Sequence, residues 1–176
     1  DFENVSFRYS ATAQHRALKE VDLHIPSGAT VGILGSTGAG KTTILDGISL
    51  ALYNMTPRIA KGNTNNEHAN ADGLTGKDPR NIMRQNTGYA FSRLHFTGND
   101  DREYCAEWSV QRGTKKKVDV RLNTVVWSIT DVQTGKCTTG SKREQHAEVQ
   151  SEIIKVVGLD FNQFCRTTML AQGEFT

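Results

Sequence analysis

Cysteine is scarce in this chain: three occur, Cys105, Cys137 and Cys165, far apart in sequence. An odd, dispersed set supplies neither a disulfide frame nor a zinc-ligand quartet, and suits reduced thiols inside a cell. No run of about eighteen apolar residues occurs, so no transmembrane helix is expected, and no secretory leader is visible. Neither sign of charge is in excess, with 21 Lys and Arg against 19 Asp and Glu. That balance demands neither nucleic acid nor a membrane surface as partner. Internal repeats and coiled-coil heptads are absent as well. What remains is one domain with a core of its own, expected in the cytoplasm. The chain opens on Asp1 rather than Met, as expected of a piece of something larger.

Against these absences one segment stands out. Gly35-Ser36-Thr37-Gly38-Ala39-Gly40-Lys41-Thr42 matches G-x-x-x-x-G-K-[ST], the phosphate-binding P-loop. Its flanks agree: 29–34 read as a short apolar strand and 43–53 as a helix. Triphosphate oxygens need many donors converging on a small volume. Glycines let the backbone form a nest of N–H groups, and the helix N-terminus adds free N–H groups and partial positive charge. Lys41 would reach the β- and γ-phosphates, the Thr42 hydroxyl would sit on Mg²⁺, and Thr43 could add a phosphate contact. The expected ligands are therefore ATP and Mg²⁺, and the expected fold is an α/β P-loop NTPase.

The rest of the chain supplies strands, turns and helices around that loop. Val5, Phe7 and Tyr9 alternate with polar residues, as do Val21, Leu23 and Ile25, which predicts two half-buried strands. In the helix after the P-loop, Ile44, Leu45, Ile48 and Leu52 share one face, and Pro57 lies beyond its end. Residues 61–78, rich in Asn, Gly and Thr, read as a long mobile surface loop. Segments 89–96, 102–111 and 117–132 read as antiparallel hairpin strands with Trp108 and Trp127 in their core. Thr134-Gly135-Lys136 is a further turn. From Arg143 the period turns helical, with Val149, Ile153, Val156 and Val157 on one face and Gly158 as C-cap. Asp160 can cap a further turn carrying Phe161, Phe164 and Cys165. Lys115-Lys116-Lys117, with Arg112 and Arg121, is the clearest basic cluster. It suits a solvated hairpin guarded against edge pairing, or contacts to a DNA backbone.

Two family resemblances run through this text. Residues 1–43, "DFENVSFRYSATAQHRALKEVDLHIPSGATVGILGSTGAGKTT", resemble the nucleotide-binding domain of ABC exporters. By that match Tyr9 would stack on the adenine ring; the alternative is an ordinary strand tyrosine. Residues 38–176 are similar to the start of SbcC-type repair ATPases, through "GAGKTTILDGISLALYNMTPR", "EYCAEWSVQR" and "VVGLDFNQFCRTTMLAQGEF". That match covers about three-quarters of the chain. An exporter would continue into a "GEILIDG" hairpin, which is missing. In the SbcC family "MLAQGEF" carries the Q-loop, so Gln172 would reach Mg²⁺ and the attacking water.

The resemblance implies an ABC-type N-terminal lobe, with a mixed sheet and antiparallel β hairpins. It forms a single domain over 1–176: an exporter-like β segment and P-loop in 1–43, then an SbcC-like helix, hairpins and Q-loop in 44–176. It implies a parent that carries a coiled coil tipped by a zinc hook and a C-terminal lobe, works with an SbcD-type nuclease on double-stranded DNA, and needs no membrane. ABC ATPases also require four apolar residues followed by Asp and a catalytic Glu. Val156-Val157-Gly158-Leu159-Asp160 is followed by Phe161, and Ile129-Thr130-Asp131 follows Ser128, so neither fits. No LSGGQ-like signature and no switch histidine can be assigned among His15, His24, His68, His95 and His146. Triphosphate binding is therefore expected of the chain, with negligible turnover. The other function to weigh is an ABC-transporter nucleotide-binding domain, and a third is a non-enzymatic lobe that supports a partner interface. The apolar face of 149–157 is expected to seek a cover outside the chain.

Overall fold

A computed structural model describes residues 2–7, 18–23, 41–61, 74–83, 88–113 and 122–168, with burial defined for 42–61, 74–83, 88–113 and 122–167. Strands β1 (Phe2–Phe7) and β2 (Leu18–Leu23) pair antiparallel, with Phe2 opposite Leu23 and Phe7 opposite Leu18. They overlap the alternating segments at Val5, Phe7, Val21 and Leu23, while Tyr9 and Ile25 lie outside the described residues. The expected central strand 29–34, where a parallel neighbour would make the sheet mixed, lies outside the described residues.

The second sheet is a four-stranded antiparallel meander. Its strands are β3 (Tyr89–Thr97), β4 (Glu103–Gln111), β5 (Val126–Asp131) and β6 (Cys137–Gly140), side by side in chain order. Of the expected strand 117–132, residues 122–132 are described, and β5 covers Val126–Asp131. Leu122 makes a single bridge to Arg112, and 123–125 are irregular. The Arg80 guanidinium donates to the carbonyls of Leu122 and Asn123, each at 3.3 Å. The Lys115-Lys116-Lys117 cluster and Arg121 lie outside the described residues.

Among the described residues, four α-helices accompany the sheets: α1 (Lys41–Tyr53), α2 (Pro57–Ala60), α3 (His146–Val157) and α4 (Phe161–Thr168). Thr56 caps α2 by accepting from Ile59 N at 3.2 Å, and Pro57 opens it, a start signal that the Thr-Pro pair carries in sequence. Gly158 ends α3 at φ +77°, in the left-handed region. The β3–β4 turn closes over this end. Asn99 N–H donates to the Val156 carbonyl at 2.8 Å, and its amide to Val157 at 3.1 Å. The left-handed φ is what favours glycine there, and a Cβ would also crowd the Asn99 side-chain amide. As expected, Asp160 caps α4: its carboxylate accepts from Gln163 N at 2.8 Å, while Gln163 Oε1 accepts from Asp160 N at 2.9 Å.

Helices α1 and α3 cover one face of the meander, α1 over β3 and β4, α3 over β5 and β6. That face presents the buried residues Tyr104, Ala106, Trp108 and Val110 of β4, and Trp127 and Ile129 of β5. Val149 and Ile153 of α3 are fully buried against it, so this helix finds its cover within the chain, contrary to expectation. The α1 prediction also needs correction. Ile44, Leu45 and Ile48 are only half-buried, whereas Asp46, Ser49, Leu50, Ala51, Leu52 and Tyr53 are buried. A helix enclosed on several sides has no single apolar stripe, and its second half is surrounded. In the segment expected to be a surface loop, Leu74 joins the core at 5% exposure. Residues 79–82 just beyond it form a 3₁₀ turn that is capped by Asp78.

The two tryptophans hold the sheet to α1. Trp108 and Trp127 face each other across β4 and β5, and each removes roughly 200 Å² from water, about 5 kcal/mol of burial. Their indoles also donate, Trp127 Nε1 to the Ala51 carbonyl at 2.8 Å and Trp108 Nε1 to Asn54 Oδ1 at 2.7 Å. Trp127→Phe keeps an aromatic ring and strands a buried carbonyl. It is expected to lower the unfolding free energy by about 2–3 kcal/mol in a urea titration. A loss below about 0.5 kcal/mol would mean that the Ala51 carbonyl finds another donor.

Candidate functional site

The motif singled out in sequence leads into α1, which begins at Lys41. Gly35, Ser36, Thr37, Gly38, Ala39 and Gly40 lie outside the described residues, as do Tyr9 and Gln172. Lys41 is the first residue of the helix and Thr42 the second. The Thr42 side chain is exposed and that of Thr43 half-buried, both in the first turn. That turn carries no acidic side chain. Free N–H groups at a helix start favour an anion, and a carboxylate there would compete with it. An open first turn, free of carboxylates and with a hydroxyl exposed, fits a phosphate-bound metal held by Thr42.

One turn further on sits a feature the sequence reading missed. Asp46 is buried at 3% exposure, and its carboxylate pairs with the Arg58 guanidinium of α2. Thr56, fully buried, also hydrogen-bonds it. Burial pushes the Asp46 carboxyl above its ordinary value, against the opposing pull of Arg58 and Thr56. The signal was present: an aspartate among apolar helix positions needs a partner, and a cation follows twelve residues later. The pair fixes α1 to the turn that follows it.

The far end of α1 is gripped as well. Asn54 stands at φ +50° and ends the helix, with its N–H donating to the Leu50 carbonyl at 3.0 Å. Its side-chain amide approaches His146 Nδ1 at 3.5 Å, and His146 Nε2 lies 3.2 Å from the Val125 carbonyl. Tyr53 donates to the Leu159 carbonyl at 3.1 Å, and its ring lies 5.8 Å from Phe161 and 5.1 Å from Phe164.

The two segments considered for a catalytic acid do other work. Asp131 ends β5 and accepts from the N–H groups of Gln133 at 2.9 Å and Thr134 at 3.0 Å, with Arg102 at 3.3 Å. Those turn amides, Thr134 first, hold its carboxyl below the ordinary carboxylate range. Asp160 caps α4. Neither stands beside Lys41 or Thr42 in sequence or element. Among the described residues, no cluster of His, Cys, Asp and Glu could hold a metal ion, the three cysteines are free thiols, and no helix is long and apolar enough to cross a membrane.

A phosphate-binding motif opening a helix, packed on an antiparallel sheet, defines a P-loop nucleotide-binding domain. A family model described as "AAA domain" matches residues 11–175, and the chain belongs to that AAA-domain family, AAA_23, the N-terminal ATPase region of SbcC-type proteins. Among curated proteins it is 34% identical over 145 residues to the SbcC component of the SbcCD nuclease of Rhodobacter capsulatus, covering 81% of this chain. It is 31% identical over 153 residues to the same component in Pseudomonas aeruginosa, covering 86% of this chain. The chain spans only 11% and 12% of the length of these two relatives. A shorter match, 45% identical over 58 residues, is to a probable metal transport system ATP-binding protein of Treponema pallidum, covering 33% of this chain and 24% of that protein. No solved structure matches significantly.

The Asp46–Arg58 pair carries a pH-dependent prediction. A carboxyl raised in the fold favours the native state at pH below its unfolded value and loses that advantage as pH rises through its folded value. Removing Arg58 removes a lowering influence and makes the ionised carboxylate costlier. Arg58→Ala is therefore expected to lower the melting temperature at neutral pH, with the deficit shrinking below about pH 3. Adding Asp46→Asn should abolish that pH dependence. A deficit equal at both pH values would mean that Arg58 acts by packing alone.

Proposed function

We propose that this chain is the ABC-type N-terminal lobe of an SbcC-type ATPase and binds Mg-ATP through its P-loop. One observation carries the reading: a single family match runs from before the P-loop to the "MLAQGEF" text. It embraces the hairpins and α3, which an exporter domain would replace. The domain organisation proposed is a single lobe over 1–176, with the C-terminal lobe elsewhere in the parent.

In this reading the backbone of 35–40 and the N-terminus of α1 bind the triphosphate. Lys41 neutralises charge on its β- and γ-oxygens, and the Thr42 hydroxyl holds the metal. Thr43 adds a phosphate contact. Gln172 orients the metal and the attacking water by its amide oxygen, and Tyr9 offers its ring to adenine. Mg-ATP, when bound, supplies a hydrolysable phosphoanhydride and the charge that neutralises it. No segment of the sequence pairs an apolar strand with an Asp-Glu dipeptide, so the general base is expected from the second lobe. The parent would act on double-stranded DNA ends together with an SbcD-type nuclease, in the cytoplasm.

The transporter reading rests on the 58-residue match and on matches of 24% identity over 158 residues to methionine import ATP-binding proteins of Yersinia pestis. It is the weaker of the two because, over four-fifths or more of the chain, identity to the SbcC components is 34% and 31%, against 24% to the import proteins.

Lys41→Ala is expected to weaken binding of a fluorescent ATP analogue by at least about tenfold, the loss of one charge-assisted contact. Radiolabelled phosphate release by the unmodified chain should stay at background. Sustained release that disappears in Lys41→Ala would show that a general base lies within these 176 residues and overturn the half-site reading.

A further inference from the structure

A cavity of about 340 Å³ opens between the C-terminal half of α3 and the end of the meander where β3 turns into β4 and β5 into β6. No described residue of α1 lines it, so it lies apart from the P-loop helix. The buried Ile129 and Val156 supply its apolar part. Its formal charges cancel, Arg102, Lys136 and Lys155 against Asp100, Asp131 and Glu152. Its hydrogen bonding does not cancel, and that imbalance points to a ligand.

The two aspartates are engaged within the fold. Asp131 accepts from the N–H groups of Gln133 and Thr134 and from Arg102. Asp100 accepts from the Tyr104 hydroxyl at 2.8 Å and from the Arg102 backbone N–H at 3.3 Å. Two of the last carbonyls of α3, which would repel an anion, are covered as well: Asn99 donates to those of Val156 and Val157. The cations are far less occupied. Arg102 engages one of its guanidinium nitrogens, on Asp131 at 3.3 Å. Lys155 has Glu152 at 3.8 Å, an ion pair beyond hydrogen-bond reach. No carboxylate among the described residues pairs with the Lys136 ammonium. Thr138, two residues on, adds a hydroxyl to the lining. The surplus is therefore one of charged donors, brought together from the starts of β4 and β6 and from α3. A ligand that meets it must be an anion that accepts from several directions, which suits a tetrahedral phosphate better than a flat carboxylate.

We propose that this cavity binds the phosphate group of a small molecule, held by Arg102, Lys136 and Lys155. The neighbouring carboxylates select against an extended polyanion. A DNA backbone would bring further phosphates against them, whereas a single phosphate needs only the donors.

The test is a titration of the whole chain with inorganic phosphate, followed residue by residue in two-dimensional amide NMR spectra, with sodium chloride at matched ionic strength as control. Saturable shifts should gather at 99–102, 136–138 and 152–156, and chloride should not reproduce them. They should persist when the P-loop is disabled by Lys41→Ala. Lys136→Gln and Lys155→Gln, both at exposed positions, should each weaken phosphate binding by about fivefold. Glu152→Gln should strengthen it by about twofold, since it removes a repelling charge and leaves the Lys155 ammonium to the ligand. A short DNA duplex at the same phosphate concentration should shift these residues less than free phosphate does. Absence of localised shifts, equal shifts with chloride, or an affinity unaltered by both lysine substitutions would overturn the proposal. Larger shifts with the duplex would overturn it in favour of a nucleic-acid contact.

Discussion

The C-terminal end of α1 has carbonyls that no further helical turn can satisfy, and much of the described structure is arranged around meeting them. Asn54 folds back into a left-handed conformation and caps Leu50. Trp127 reaches from β5 to the Ala51 carbonyl, and Trp108 reaches from β4 to the Asn54 amide. The two indoles stand opposite each other in register, so any slip between β4 and β5 would break both contacts at once. The same amide lies beside His146, at the start of α3, and the neighbouring Tyr53 reaches the corner into α4. One helix end thereby fixes the strand register and the placement of both later helices.

That constraint leaves the opposite end of α1 in a useful state. The C-terminal half is enclosed by the sheet, α3 and α4, while Thr42 in the first turn is exposed. The Asp46–Arg58 pair lies between the two ends and fastens the middle to α2. Replacing such a pair by apolar residues is often neutral, whereas removing one partner strands a buried charge, so its effect here is to specify one geometry. Under the proposed reading, a helix held along its middle and far end would present its N-terminus to phosphate with less ordering on binding.

Much of this was legible in the sequence because the signals were local. The motif ending in Lys41 and Thr42 marked the start of α1, alternation marked part of β1 and β2, and strand-like runs between turn signals marked β3 and β4. The helical period from Arg143 marked α3, Gly158 its end, and Asp160 the cap of α4. The failures involve partners far away in the chain. Nothing near Leu122 and Asn123 announces that Arg80 will reach their carbonyls. Nothing in α3 says that its apolar face will be covered by β5 and β6. The stripe of Ile44, Leu45, Ile48 and Leu52 misled because periodicity assumes one wet side, and the second half of α1 has none. Of the candidate site, only its entry into α1 could be compared with the structure: Tyr9, Gln172 and the loop glycines lie outside the described residues.

The sequence by itself determined the chemistry of the nucleotide motif and the family, because both reside in contiguous text whose spacing is set by backbone geometry. The tertiary structure alone decided which end of α1 is clamped and which is open. It also decided that Asp46 meets Arg58, that the two tryptophans serve as donors, and that Tyr53 joins the P-loop helix to α4. Each of these is a pairing of polar groups brought together by burial. Burial forces a hydrogen-bonding atom to find a partner, but only the packed chain determines which partner lies within reach.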